Sequence, residues 1–209
     1  MTDMEFHPAA PGAKPYHAPQ APSDWVMGFL PHVRPGGTVL DVACGTGRHV
    51  AAALAAGLQV VAVDRDATGL AAFSGDPRVT VAVADLEDGS PWPLGDRRFA
   101  GVVVTNYLFR PILPAIAGAV GPDGILIYET FARGQERHGR PNRREFHLQP
   151  NELLGPALAA GLVVVAFEHG EIAGPFCSGG VAKIVQRIAA VGPEHPLAFE
   201  RPLALAPRA

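Results

Sequence analysis

Two hydrophobic periods alternate along this chain. From Thr38 onward, apolar runs of six or seven residues exchange with stretches whose apolar positions recur every three or four. "TVLDVA" (38–43), "QVVAVD" (59–64), "VTVAVAD" (79–85), "GVVVTNY" (101–107) and "ILIYETF" (125–131) are rich in β-branched residues and predict strands buried on both faces. Between them, "GRHVAAALAAG" (47–57) predicts a helix closed by Gly57, and "ATGLAAFS" (67–74) a weaker one. "RPILPAIAGAV" (110–120) predicts a helix with Pro111 near its first turn and Pro114 just inside it. Ahead of the first strand, "SDWVMGFLPHV" (23–33) has Ser23 or Asp24 as cap and Trp25, Phe29 and Leu30 on one helical face. Late in the chain, "NELLGPALAAG" (151–161) predicts a helix with Asn151 as cap and Gly161 as stop. "LVVVAFEHG" (162–170) and "VAKIVQRIAAV" (181–191) predict two strands joined too closely for a crossover helix, hence an antiparallel pair.

This alternation predicts an α/β fold: a seven-stranded, mostly parallel, doubly wound sheet of Rossmann-like type. Its last strand is antiparallel, and helices cover both faces. Residues 22–191 form one domain, between an irregular Pro-, Ala- and His-rich arm (1–21) and a proline-bearing tail (192–209) expected to be extended. Composition adds exclusions. Net charge is −3, so no global field favours nucleic acid or a membrane surface. Two lysines against fifteen arginines read as genomic bias. The two cysteines, Cys44 and Cys177, form neither a disulfide framework nor a zinc pattern, and no metal is expected. The first residues lack an apolar core of signal type, and no apolar run reaches the roughly 20 residues of a membrane span. The expectation is a cytoplasmic protein.

Ligands on such a sheet sit beyond the carboxyl ends of the strands, at the switch point. There the chain reads "DVACGTGRH". Gly45 and Gly47 permit a tight turn and leave no side chain between backbone and ligand. A dinucleotide fingerprint needs a third glycine where Val50 stands. Asp64 ends the second strand, placed to accept hydrogen bonds from both hydroxyls of a ribose, and Asp85 ends the third, beside the place of an adenine amine. One acid per strand end suits an adenosine without phosphates. Arg48 is the one basic residue in the turn.

Together these spacings resemble the class I S-adenosylmethionine-dependent methyltransferases, over about Thr38 to Val191. "VLDVACGTG" is similar to the family's first motif, "VVAVDRD" to its second, and "ADLEDGSPWPLGDRRFAGVVVTNYL" to its third and fourth. Ala43 stands where the family often has a glycine, and Ala100 where an Asp commonly precedes the fourth strand. "TNYLFRPILP" and "YETFARGQERHGRP" resemble a subgroup of small stand-alone bacterial enzymes near the tellurite-resistance type. The resemblance implies S-adenosylmethionine as cofactor, held by Asp41, Ala43, Gly45, Thr46, Gly47, Asp64, Arg65, Asp85, Leu86 and Asn106. In the family, the acid at the Asp41 position reaches the cofactor's amino end, directly or through water.

For the acceptor side the candidates are Tyr107, Arg110, Glu129, Arg133, His138 and Arg140. Arg133, Arg137, Arg140, Arg143 and Arg144 face one acid, Glu136, so this loop reads either as a solvated lid or as an anion-binding one. Arg65 either stacks on adenine or is plain surface; Trp92 either covers adenine or anchors its loop; His49 either packs or meets the cofactor. Tyr16 or Trp25 could be carried over the mouth by the arm. The sulfonium is itself the methyl donor, so the protein aligns a nucleophile and excludes water, and no catalytic residue is assigned. The implied acceptor is a small, possibly anionic molecule, attacked in line. Neither nucleic acid nor membrane is expected as partner, and the sequence leaves the oligomeric state open. Rival readings are an NAD-dependent oxidoreductase on a similar sheet and a non-catalytic S-adenosylmethionine-binding module.

Overall fold

A computed structural model describes residues 21–172, 182–200 and 203. Tyr16, Cys177 and the expectations for the arm before 21 and most of the tail after 200 lie outside the described residues. In chain order, α1 (Asp24–Phe29), β1 (Thr38–Val42), α2 (Arg48–Ala55) and β2 (Gln59–Asp64) come first. A 3₁₀ segment (Ala67–Phe73), β3 (Val79–Val83), β4 (Phe99–Thr105), α3 (Leu113–Gly118) and β5 (Val120–Phe131) follow. The chain continues through α4 (Leu154–Ala159), β6 (Val163–Ile172), β7 (Lys183–Val191) and α5 (Pro196–Phe199).

The seven strands lie in the order β3-β2-β1-β4-β5-β7-β6. β1 through β5 pair in parallel, and β7 runs antiparallel to both β5 and β6. The chain walks outward from β1 to β3, then returns to place β4 on the other side of β1. That reversal opens the crevice at the carboxyl ends of β1 and β4.

The two-residue period of the strands sorts the core into two layers. Val39, Val103, Ile125 and Ile127 pack against Trp25, Val26 and Phe29 of α1 and Val50 and Ala53 of α2. Leu40, Val102, Val104, Leu126 and Tyr128 face the other way, with Leu113 and Ile116 of α3 and Ala157 of α4. Each fully buried aliphatic chain of this kind stabilises the fold by about 1.5–3 kcal/mol relative to exposure.

Several local expectations change. The segment 67–73 is 3₁₀, not α, because it must pass hard against the glycine turn: a Cβ on Gly69 would lie 2.8 Å from the Gly45 carbonyl oxygen. Residues 110–120 divide into a 3₁₀ turn (Arg110–Ile112) and α3, whose second residue is Pro114. β5 begins at Val120, through a register shift opposite Phe99 and Gly101, and Ala100 lies within β4 instead of ahead of it. Asn151 does not cap α4; it holds a left-handed φ of 62° before the helix starts at Leu154. The tail does not leave extended: His195 accepts from the Leu197 amide and, with Pro196 at the first position, starts α5.

Candidate active site

The turn between β1 and α2 is shaped by left-handed backbone. Ala43, Gly45 and Gly47 have φ of 52°, 56° and 77°. A Cβ on Gly45 would meet no atom within 4 Å, so that glycine faces open space. Gly47 is different: its Cβ would fall 2.5 Å from Phe73 Cε2 and 3.0 Å from Leu70 Cδ2, so it is small to let the 3₁₀ segment pack. The Ala43 strain also explains why a glycine would be the easier residue there.

Asp64 closes the second side of the crevice. Its Oδ2 accepts from the Gly45 amide at 2.8 Å and its Oδ1 from the Asp66 amide at 3.0 Å. Each oxygen keeps a second lone pair, so a fixed carboxylate is presented beside the glycine turn. Next along the edge, Asp85 is exposed and accepts from the Glu87 amide at 2.9 Å. Asp85, Leu86, Trp92 and Ile112 line a pocket of about 330 Å³. Arg65 is exposed, and Thr46 is half-buried in the turn. Trp92 is half-buried, packs on the α3 side of the core and borders the same pocket.

Asp41 is the group most altered by its surroundings. It is 2% exposed, and its Oδ2 is buried without a hydrogen-bond partner among the described residues. Burial, only partly offset by the Arg48 charge, pushes its carboxyl up to about 7. A cation seated on that oxygen would return it to the ionised state. Cys44, between Asp41 and Asp64, has its thiol pushed up by burial and by both acids, which makes it a packed side chain and not a nucleophile.

A polar row crosses the α1/α2 face at the level where the apolar layer ends. His49 Nε2 accepts from the Ser23 amide at 3.1 Å, and its Nδ1 lies 3.4 Å from Thr105 Oγ1. Burial first, then the Arg48 charge, lowers His49 to about 3, so the imidazole is neutral. Arg48 donates to Thr105 Oγ1 and to the Ala21 carbonyl. Glu129 accepts from Ser23 Oγ at 3.0 Å and faces Arg187 Nη1 at 3.4 Å. Arg187 also pairs with Glu168 and lies 4.7 Å over the Trp25 ring.

Several acceptor-side candidates are committed elsewhere. Glu129 is buried under α1 by the Ser23 and Arg187 contacts. Arg110 does not reach the mouth: it grips Glu152 through Nε and Nη2 and donates to the carbonyls of Glu145 and His147. His138 sits 3.6 Å from Glu171 on β6. Arg143 pairs with Glu145, and Arg144 lies 3.8 Å from Glu136. The arginine loop is anchored, not free. Gln135 is buried and accepts from the Ile184 amide at 2.8 Å, while buried His147 contacts the Pro141 carbonyl at 2.8 Å.

Asn106 remains at the mouth, exposed at the end of β4 with φ 54°. Tyr107 lies next to it. Burial first, then Glu87, Asp85 and Asp64, push its phenol up, so it stays protonated at neutral pH. Arg133, half-buried, is the first loop arginine after β5; Arg140 is exposed. Among the described residues, no group of three or more His, Cys, Asp or Glu side chains is arranged to hold a metal ion.

Residues 39–122 match the family model for a methyltransferase domain. That match spans less than half of the chain. Solved structures share its fold. TehB from Haemophilus influenzae is 18% identical with a TM-score of 0.58, the match covering 81% of this chain and 61% of that one. The chain thus spans less than two thirds of that protein's length. An S-adenosylmethionine-dependent methyltransferase from Mesorhizobium loti is 17% identical, TM-score 0.60, covering 79% and 94%. The 1,6-didemethyltoxoflavin-N1-methyltransferase of Burkholderia thailandensis, solved with that compound and S-adenosylhomocysteine bound, is 21% identical, TM-score 0.55, covering 80% and 76%. No curated protein matches the sequence. No helix among the described residues is long and apolar enough to cross a membrane.

Proposed function

We propose that this chain transfers the methyl group of S-adenosylmethionine to a small acceptor that approaches over the carboxyl ends of β4 and β5. The observation that supports the cofactor's placement is the buried oxygen of Asp41, which has no hydrogen-bond partner among the described residues, beside the open glycine turn. An ammonium satisfies that oxygen, and the amino end of the cofactor supplies one. Asp64 would take the ribose hydroxyls through its remaining lone pairs. Asp85 and Leu86 would border the adenine in the pocket that Trp92 and Ile112 complete. Asn106 and Tyr107, at the end of β4, would border the cofactor on the acceptor side.

The cofactor supplies an activated methyl group. The chain supplies alignment and exclusion of water. His49 does not act as a base, because both its ring nitrogens face Ser23 and Thr105. Tyr107, held as a neutral phenol, can donate a hydrogen bond to an acceptor but does not take its proton.

On the acceptor side, Arg133 favours an anion, since it follows β5 directly and its guanidinium matches a carboxylate or oxyanion. Titration calorimetry with S-adenosylmethionine and S-adenosylhomocysteine tests the cofactor site. Micromolar-range binding by the wild type, weakened at least about tenfold in Asp64→Ala, is expected, since two charge-assisted hydrogen bonds are lost. Unchanged binding by that variant would reject the assignment. A screen of carboxylates, oxyanions and neutral amines, read as S-adenosylhomocysteine formed, tests the acceptor class; turnover confined to neutral amines would reject the anionic reading.

A further inference from the structure

His147 is shut off from solvent, and both of its ring nitrogens meet oxygen. Nε2 lies 2.8 Å from the Pro141 carbonyl, and Nδ1 lies 3.3 Å from Glu136 Oε2. A carbonyl and a carboxylate only accept hydrogen bonds. A neutral imidazole has one N–H and one lone pair, so either neutral tautomer sets a nitrogen lone pair against an oxygen. With the proton on Nδ1, Nε2 is bare against Pro141. With the proton on Nε2, Nδ1 is bare against a carboxylate. Nδ1 makes no well-aligned hydrogen bond among the described residues, so what joins it to Glu136 is charge. The imidazolium resolves both contacts: Nε2–H donates to Pro141, and the positive ring pairs with Glu136.

Glu136 keeps its own charge. The amides of Glu136 and Gly134 first, then the His147 and Arg144 charges, hold its carboxyl below the usual carboxylate range. The other charged groups at the ring are Arg144, 3.8 Å from Glu136 Oε1, and Arg110, which donates to the His147 carbonyl at 2.9 Å. Glu152 is spent on Arg110, which leaves Glu136 as the carboxylate facing the ring.

We propose that His147 is a pH-sensitive latch on the arginine loop: as an imidazolium it fastens the Gln135–Arg137 turn and Pro141, and on losing a proton to solvent it releases them. A ring without exposure cannot give up that proton while the loop stays shut, so deprotonation and opening are one event. The latch is present while the ring is charged and is lost as pH rises. Arg133 and Arg140 ride on the segment between β5 and His147, so falling pH would firm the acceptor side. That consequence rests on the acceptor reading above; the latch itself does not.

The test uses the full chain without ligand. Ring ¹⁵N shifts of His147 report the proton on each nitrogen, and amide protection at residues 134–138, corrected for intrinsic exchange, reports the loop. Both ring nitrogens are expected to be protonated at about pH 6, and protection to fall by about 10- to 100-fold as the ring deprotonates toward about pH 8.5, the range of one charge-assisted contact. In Glu136→Gln, whose amide can serve a neutral ring, that pH dependence is expected to disappear. His138, 3.6 Å from Glu171, is untouched by the substitution, so the difference between the two proteins belongs to His147. A ring nitrogen found bare at about pH 6 overturns the latch. So does a ring that keeps both protons until global unfolding, protection that ignores the ring's titration, or a pH dependence undiminished in Glu136→Gln. Failure of the methyl-transfer reading would leave these readouts unchanged, so the two can be told apart.

Discussion

Replacing Asp41 by Asn removes a buried charge that folding otherwise has to accommodate, and the size of the effect follows from two opposing titrations. Asp41 rises from an ordinary 3.8 to about 7 in the fold, so the folded state holds its proton more tightly than the unfolded chain. Its contribution is fully present below about pH 4 and is lost as pH climbs to about 7. At 1.36 kcal/mol per pH unit, that difference is about 4 kcal/mol, a ceiling that relaxation and water entry reduce. His49 does the opposite. It falls from 6.5 to about 3, so its contribution is present above pH 6.5 and is lost as the medium acidifies. Between about pH 4 and 6.5 the two slopes oppose each other, and the wild type gains little from either.

Asp41→Asn is therefore expected to match the wild type below about pH 4 and to become more stable as pH rises to about 7. If half the ceiling survives, the gain is about 2 kcal/mol, or about 4–8 °C in Tm for a chain of this size. Thermal melts of both proteins between pH 4 and 8, without cofactor, supply the measurement. The variant alone should then show the rise in stability with pH that His49 produces. A difference between variant and wild type that stays constant with pH would refute the reasoning. The same substitution is expected to abolish tight binding of S-adenosylhomocysteine, so stability and ligand affinity change in opposite directions at one atom.

The remaining predictions concern neighbouring positions. Ala43→Gly relieves a left-handed backbone at φ 52° and is expected to raise stability by about 0.5–1 kcal/mol, read from urea unfolding; lower stability would show that the Ala43 methyl packs usefully. Gly47→Ala meets the Phe73 ring and a φ of 77°, and should cost about 1–3 kcal/mol in the same assay. Arg110→Ala breaks the grip on Glu152 and on two carbonyls of the arginine loop. It is expected to cost about 1–2 kcal/mol and to speed amide exchange at residues 144–149, whereas unchanged exchange there would mean the loop is held by its buried glutamine and histidine alone. Wild-type affinity for S-adenosylhomocysteine should rise with pH through about 7, because the bound ammonium favours the ionised form of Asp41.

The sheet was legible because its strands are buried on both faces, which leaves long β-branched runs that no helix period imitates. The antiparallel end was legible from the short link between residues 170 and 181. The acids at the ends of β1 and β2 were legible too, and the structure brings Asp64 to the glycine turn through the Gly45 amide. What local pattern could not reveal depends on partners far apart in sequence. Arg110 is claimed by Glu152, 42 residues on, and Gln135 by Ile184, 49 residues on. Both positions look free when read in their own segments. Arg187 was missed for a related reason. Only the registers Glu129–Arg187 and Glu168–Arg187 show that three adjacent strands line up acid, base and acid on one face. Ser23 read as a helix cap, and it is one, yet it also donates to Glu129 and bonds to His49.

The clasp that Arg48, His49 and Glu129 make on Ala21 and Ser23 has a practical consequence. Ala21 and Ser23 are thereby fastened to side chains of α2 and β5, next to the glycine turn. Loosening that fastening, by Ser23→Ala for example, would be felt first at His49 and Glu129, the two buried polar groups it covers.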